Sequence, residues 1–324
     1  MNCLAITLNA AVDATYVVER FTSGGANRVV RKHEMPGGKG NNVARVLAAH
    51  GHAVVATGFL GGEHGRFIER GLRQAGIESR FVWLARGVSR TCHTVLDRDS
   101  GEATEILEAG PEVDEDDCER LLERLPPWMG SADVVVISGS APAGVTPAFL
   151  ERLAMVVRAG PGRMLVDASG QTLVSLLTAR PDLIKPNEAE MRSLMGRSAS
   201  LDDRVAHAKG DLLGQRMAPG ANVLMSLGGA GALLISEIRV LRARAPAVEA
   251  VNTVGCGDAL LAGYLHGRFG GLDDVESLRE AVAFGAAAAL QEVAGVTTTC
   301  DVRRLRPEID IIEFGRSSDT RRML

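Results

Sequence analysis

Along most of the chain, short apolar runs of strand length alternate with segments whose apolar residues recur at helical spacing. That alternation admits few folds. Strand-like runs occur at Cys3–Asn9, Ala53–Leu60, Val134–Ile137, Met164–Asp167, Asp182–Lys185 and Asn222–Leu227. Between them, Val43, Val46, Leu47 and His50 share one face of a helix over Asn42–His50, which Gly51 would stop, and Arg66–Gln74 is also helical. Thr146-Pro147 reads as the cap and first residue of a helix through Arg158. Strands joined by helices predict an α/β fold, a parallel sheet with right-handed crossovers and helices on both faces. Ligands of such sheets collect at the carboxyl ends of the strands.

Two stretches break the alternation. Thr15–Glu19 and Arg28–His33 are strand-like and separated by turn residues, and Arg80–Leu84, Thr91–Asp97 and Glu102–Leu107 form a second set. They predict a small, mostly antiparallel β-sheet lid built in two passes, over about 12–36 and 80–108. So small a sheet buries little alone, so it must cover something or pair with its own copy. Ile309–Phe314 reads as a last edge strand. The expected organisation is one domain over 1–315, with 316–324 a loose tail.

Composition excludes several classes of function. The 324 residues carry 36 Lys and Arg against 40 Asp and Glu, a net charge of −4, which offers no field for nucleic acid or an anionic membrane. Aromatic residues are only 4%, too few for a surface that stacks single-stranded bases. Apolar residues reach 46%, enough for a large core, yet no run approaches the ~20 residues needed to span a bilayer. The amino terminus lacks the pattern of a signal peptide. The five cysteines are scattered and form no CxxC pair, which suits a reducing cytoplasm and argues against structural zinc.

Four glycine or polar clusters carry the chemistry. In VNTVGCGDALLAGYLHG (251–267), an apolar run meets Gly255-Cys256-Gly257-Asp258 at the start of a small-residue helix. Amides at such a helix start suit the charge on a transferred phosphoryl group, and Asp258 suits a general base. A capping aspartate explains Asp258 equally well. Gly37-Gly38-Lys39-Gly40-Asn41-Asn42 also precedes a helix and suits a polyhydroxylated or phosphorylated ligand, or a hinge to the small sheet; it is not a P-loop. Ser226, Gly228, Gly229 and Gly231 suit a nucleotide phosphate or a plain hairpin turn. In Lys185-Pro186-Asn187-Glu188-Ala189-Glu190, Asn187 and Glu190 have the spacing of a capping box and also suit Mg²⁺ held through water. Asp13 suits sugar hydroxyls, Ser138 and Ser140 add donors, and Arg28, Lys39 and Arg90 would suit a phosphorylated substrate if they converged. Taken singly, each of these cations is more often a solvated surface charge.

With these motifs in place, the sequence resembles the ribokinase-like PfkB family of carbohydrate kinases over roughly 1–298. GGKGNNVARVL is similar to its first signature, VNTVGCGDALLAGYL to its second, KPNEAE to its magnesium motif and SLGGAGALL to its nucleotide loop. TLNAAVD, Asn27-Arg28-Val29, GFLGGEHGRFI, Ser89-Arg90 and ISGSAPAGV resemble the phosphosugar branch. The branch includes kinases of fructose 1-phosphate, tagatose 6-phosphate and fructose 6-phosphate. The resemblance implies ATP and Mg²⁺ as cofactors and a homodimer formed through the lid. It implies Asp258 as base, with the amides of Gly255, Cys256 and Gly257 as anion hole. Asp13, Gly38, Lys39 and Asn42 would contact the sugar, while Arg28, Lys39 and Arg90 would neutralise its phosphate. Lys185, Asn187, Ser226, Gly228, Gly229 and Gly231 would lie along the nucleotide. Two departures stand out: Ala10 replaces a usual Pro, and Cys256 a usual Ala, where its thiol would crowd the site or sensitise it to oxidation.

Overall fold

The computed structural model describes residues 1–196 and 200–314, so the expected tail at 316–324 lies outside the described residues. From the amino end come β1 (Asn2–Thr7), β2 (Ala11–Val18), β3 (Val29–Gly37), α1 (Lys39–Ala49), β4 (Ala53–Leu60) and α2 (Gly62–Gln74). Next are β5 (Glu78–Ser79), β6 (Val82–Trp83), β7 (Arg90–Asp97), β8 (Ala103–Leu107), α3 (Glu115–Met129), β9 (Val134–Ser138), α4 (Pro147–Arg158) and β10 (Arg163–Asp167). After α5 (Gly170–Leu176), β11 (Leu183–Ile184), α6 (Glu188–Met195) and α7 (Leu201–His207) come β12 (Asn222–Ser226), β13 (Ala232–Ile235) and β14 (Val240–Ala243). The chain closes with α8 (Cys256–Phe269), α9 (Asp274–Ala289), α10 (Thr299–Leu305) and β15 (Ile311–Phe314).

The main sheet runs β15-β14-β13-β12-β11-β10-β9-β1-β4-β5, with β6 also pairing with β4. It is parallel from β4 through β12, as the strand–helix alternation predicts. Beyond β12 it turns antiparallel: short hairpins join β12, β13 and β14, and β15 returns to the edge only after α8, α9 and α10. Each central strand is apolar on both faces. Cys3 and Ala5 enter one core with α1, α8 and α9, while Leu4 and Ile6 enter the other with α3, α4 and α5. Local signals set several helix starts: the Thr146 hydroxyl accepts from the Phe149 amide before α4, and the Asp273 carboxylate accepts from the Glu276 amide before α9. Small residues let α8 and α9 approach closely, and a Cβ on Gly263 would come within 2.7 Å of Phe284.

The lid is a four-stranded sheet in the order β3-β2-β7-β8. Its outer pairs are antiparallel and the central pair, β2 with β7, is parallel. The expectation that Arg80–Leu84 belongs to the lid needs correction. Val82 and Trp83 pair with Phe59 and Leu60 of β4, and Phe81, Val82 and Leu84 are buried, so this run closes the edge of the main sheet. Its apolar side chains gain more from that core than from a thin sheet open to water. The lid joins the main sheet where β1 ends. Ser138, Asp167 and Ser226 end β9, β10 and β12, and Lys185 follows β11, on that same side.

Candidate active site

Two helix starts meet beneath the lid. Before α1, the Asp13 carboxyl group lies where a Cβ on Gly37 would sit, 2.0–2.3 Å away, so only glycine admits Asp13 against the backbone. Gly38 then caps α1 and places Asn42 in its first turn. Before α8, Gly255 adopts φ 79°, a left-handed conformation that turns the chain sharply into the helix, and Asp258 follows in the first turn. Asp258 is only 4% exposed. The Asn42 side-chain amide bridges the two carboxylates, donating from Nδ2 to Asp258 Oδ2 at 2.9 Å and to Asp13 Oδ2 at 3.4 Å. Burial, with the charge of Asp167 behind it, pushes Asp258 up to about 7; Lys39, Asn42 and Lys185 pull the other way. Burial likewise raises Asp13 to about 6, against the pull of Asn42, Arg45, Arg90 and the Gly38 amide.

A second group lies beside the first. Asp167 is fully buried, with Lys185 Nζ at 3.2 Å and Lys39 Nζ at 3.6 Å from its Oδ1, yet neither carboxylate oxygen makes a well-aligned hydrogen bond. Lys39 Nζ is also 3.6 Å from Glu190 Oε1. The charge of Asp167, with Asp258 and Glu190 adding to it, holds Lys39 above the usual lysine range. Lys185 Nζ would be 3.3 Å from a Cβ on Gly257, so this ammonium touches the glycine turn. Ser138 Oγ and the Gly139 amide donate to the Asp167 carbonyl, and Ser140 Oγ accepts from Asn9 Nδ2 at 3.4 Å.

On the far side of that turn is a cavity of about 370 Å³. Ser226, Gly228, Gly229 and Gly231 line one wall, and Cys256, Gly257, Val282 and Ala286 the other. The glycine cluster forms the β12–β13 hairpin turn and also lines this wall. Asn187 and Glu190 do form a capping box on α6, each side chain bonding the other's backbone amide at 2.8 Å through Asn187 Oδ1 and Glu190 Oε2. Glu190 Oε1, facing Lys39, is left outside the cap. Asn187 is also bridged to Ser226, which ties this helix start to the nucleotide-loop motif.

The three cations singled out from sequence take different places. Lys39 is held on the Asp167 and Glu190 side. Arg90 lies at the start of β7, bonds the carbonyls of Asn9 and Glu108, and acts on Asp13. Arg28 is exposed just ahead of β3.

The model of the pfkB family carbohydrate kinases matches residues 4–299. The chain belongs to this family. A 1-phosphofructokinase from Bacillus subtilis (strain 168) is 34% identical over 308 residues, spanning 94% of this chain and 98% of that protein. A tagatose-6-phosphate kinase from Staphylococcus epidermidis is 32% identical over 316 residues, covering 96% of this chain and 99% of its own. Phosphofructokinase-2 from Escherichia coli, solved in complex with substrates and products, superposes with TM-score 0.87 at 27% identity, over 95% of this chain and 99% of that one. The resemblance falls in the phosphosugar branch of the pfkB family, and the chain is a phosphotransferase with an alcohol group as acceptor.

Kinases of the pfkB family use ATP and Mg²⁺, and the residues present fit both. Among the described residues no cluster of three or more His, Cys, Asp or Glu forms a metal cage. Mg²⁺ keeps its waters and takes one or two carboxylates besides phosphate oxygens. Glu190 Oε1 is outside the cap for that purpose, and the buried Asp167 oxygens, beside Lys185 and Lys39, make no well-aligned hydrogen bond and keep acceptor capacity. Cys256 bonds the Asn252 carbonyl at 3.7 Å, and burial pushes its thiol up to about 12, which favours the protonated form over the thiolate. No helix among the described residues is long and apolar enough to cross a membrane. Sequence reasoning missed Asp167, whose only local signal is a lone charge ending an apolar strand. It also missed Asn9, whose Oδ1 is buried without a partner, and the apolar wall of Val282 and Ala286.

Proposed function

We propose that the protein transfers the terminal phosphoryl group of ATP to a hydroxyl of a sugar phosphate, with Asp258 as general base. One observation carries this reading: a buried carboxylate, raised to about 7, stands at the glycine turn that opens α8 and is bridged by Asn42 to a second carboxylate beneath the lid. At neutral pH a substantial fraction of Asp258 is ionised and able to take the proton of an incoming hydroxyl. Asp13, Gly38 and Asn42 hold the sugar, with Ser138 and Ser140 at its rim. Arg90, beside Asp13, and Arg28, from the exposed lid, hold its phosphate. Lys39, Lys185 and the amides of Gly255, Cys256 and Gly257 face the transferred group, where preorganised positive charge acts most strongly. The cavity beside Ser226, Gly228, Gly229 and Gly231 takes the nucleotide, and Asn187 and Glu190 hold Mg²⁺ through water. The bound ion would neutralise charge on the phosphates.

The related 1-phosphofructokinase and tagatose-6-phosphate kinase favour a phosphorylated ketohexose, either fructose 1-phosphate, tagatose 6-phosphate or fructose 6-phosphate. Val29 and Val30 on β3, and Ile106 and Leu107 on β8, are each about half exposed, which supports a homodimer through the lid. Steady-state assays on the three ketohexose phosphates, with ribose and adenosine as controls, test the substrate class. Better turnover of an unphosphorylated acceptor would overturn it. Asp258→Asn should keep nucleotide binding and lose ~10²–10⁴-fold in kcat; near-normal turnover would remove Asp258 as base.

A further inference from the structure

Arg45 lies on α1 one turn beyond Asn42 and is only 7% exposed. A buried guanidinium is costly unless its donors are used, and this one is spent on parts of the active site. Its Nη1 donates to the Pro36 carbonyl at 3.1 Å, to the Ala294 carbonyl at 3.1 Å and, at 3.5 Å, toward Asn42 Oδ1. Pro36 lies near the end of β3, where the lid joins α1. Ala294 packs on the anion turn, its Cβ 2.9 Å from where a Cβ on Gly255 would sit. The next residue, Gly295, presses on Asn42, and a Cβ there would come within 2.8 Å of Asn42 Oδ1.

These contacts decide which way the Asn42 amide points. Guanidinium offers only donors and ionised carboxylates only acceptors. Asn42 therefore turns its oxygen to Arg45 and its NH₂ to Asp13 and Asp258. A flipped amide would set its oxygen against two carboxylates and its NH₂ against a cation.

We propose that Arg45 is a positioning residue for phosphoryl transfer: it locks the Asn42 amide in the orientation that serves both carboxylates and pins the 294–295 segment against the Gly255 turn. It hydrogen-bonds neither carboxylate and acts through Asn42 and the backbone. One side chain thus ties the lid junction, the base and the anion turn together, so none shifts without the others. Burial pulls Arg45 down to about 10, so it remains charged at neutral pH.

The proposal rests on the proposed role of Asp258, and its test can fail separately. The groups electrostatically linked to Asp258 or its partner Asp13 are Lys39, Asn42 and Arg45 from α1, the Gly38 amide before it, Arg90 and Cys92 from β7, Asp167 from β10, Lys185 after β11 and Cys256 on α8 itself. Arg45→Lys keeps the charge but removes the Nη1 group that reaches all three acceptors. Since the Asn42 bond lowers the Asp258 pKa, loosening it must raise that pKa. Carboxyl ¹³C NMR titration of Asp258 should move up by roughly half to one unit in Arg45→Lys, and by at least as much in Asn42→Ala. In the double variant the Arg45 substitution should add nothing, the mark of two residues acting in series. With a ketohexose phosphate and Mg·ATP, kcat of Arg45→Lys should fall roughly tenfold, the effect of one well-made hydrogen bond at the transition state.

An unchanged Asp258 titration in Arg45→Lys, or fully additive shifts in the double variant, would overturn the positioning role. So would an activity loss matching only the unfolded fraction seen in thermal melts. The NMR readout needs no turnover, so it reports on Arg45 even if Asp258→Asn shows that another group is the base. If Arg45→Lys does not fold, the titration is run on Arg45→Gln, which keeps side-chain donors, with the same two outcomes.

Discussion

Asp258 and Asp167 are both almost withdrawn from water, one at the start of α8 and the other at the end of β10, and they face the same cleft. Their partners differ. Asp258 is given a neutral amide, Asn42 Nδ2 at 2.9 Å, with the ammonium groups of Lys39 and Lys185 acting on it only from a distance. Asp167 is given those two ammonium groups directly, Lys185 at 3.2 Å and Lys39 at 3.6 Å. A carboxylate left with a neutral partner in a buried site is ready to accept a proton, whereas one between two cations serves as a fixed negative charge that positions them. Residue type and burial are the same; the neighbour sets the chemistry.

The comparison breaks most sharply if the two carboxylates are neutralised in turn. Asp258→Asn should remove ~10²–10⁴-fold of kcat. It should also raise the melting temperature above pH 7. The folded pKa of Asp258 lies above its ordinary value of 3.8, so the folded state loses stability as pH rises through about 7, and the amide escapes that loss. Asp167→Asn should do the reverse to stability and lower the melting temperature, because it strands the buried Lys185 ammonium; removing one partner of a buried pair costs about 3 kcal/mol or more. Paired thermal melts and ATP titrations check both, and equal behaviour of the two variants would erase the distinction.

The next effect is in pH. If Asp258 must be ionised, kcat/KM falls by about tenfold per unit on the acid side of about pH 7. A flat profile from pH 6 to 8 would contradict the assignment. Gly37→Ala tests the support of the same side, since its Cβ would collide with the Asp13 carboxyl group. KM for the sugar phosphate should rise by roughly tenfold, the value of one displaced charged hydrogen bond, with little change in KM for ATP. Smallest is Cys256→Ala: with the thiol protonated and its backbone amide retained, kcat should stay within about twofold. A larger loss in a steady-state assay would give the thiol a role in the anion turn.

Much of this organisation is legible in the residues. β4 and α4 coincide with their expected spans because each signal is local: an apolar run of strand length, and a Thr-Pro start before a helical pattern. The glycine clusters announce themselves for a similar reason, since close backbone approach leaves few residue types possible at Gly37 and Gly255. The run at 80–84 was not assignable that way. Its apolar residues suit either sheet, and pairing with β4 depends on which partner lies nearby in space. Asp167 was silent for the same reason: Lys39 and Lys185 come from distant elements, and neither forms a pattern with it along the chain.

By itself, then, the sequence determined the alternation of strands and helices, the positions of the sharp turns and the residue types available for phosphoryl transfer, because propensity, periodicity and backbone sterics act over a few neighbouring residues. Only the tertiary structure decided which charges face which. It placed Lys39 with Asp167 and Glu190, set Arg45 behind Asn42, and left Asp258 with a neutral partner. A pKa or an amide orientation depends on groups within a few ångströms, and the fold alone sets those distances.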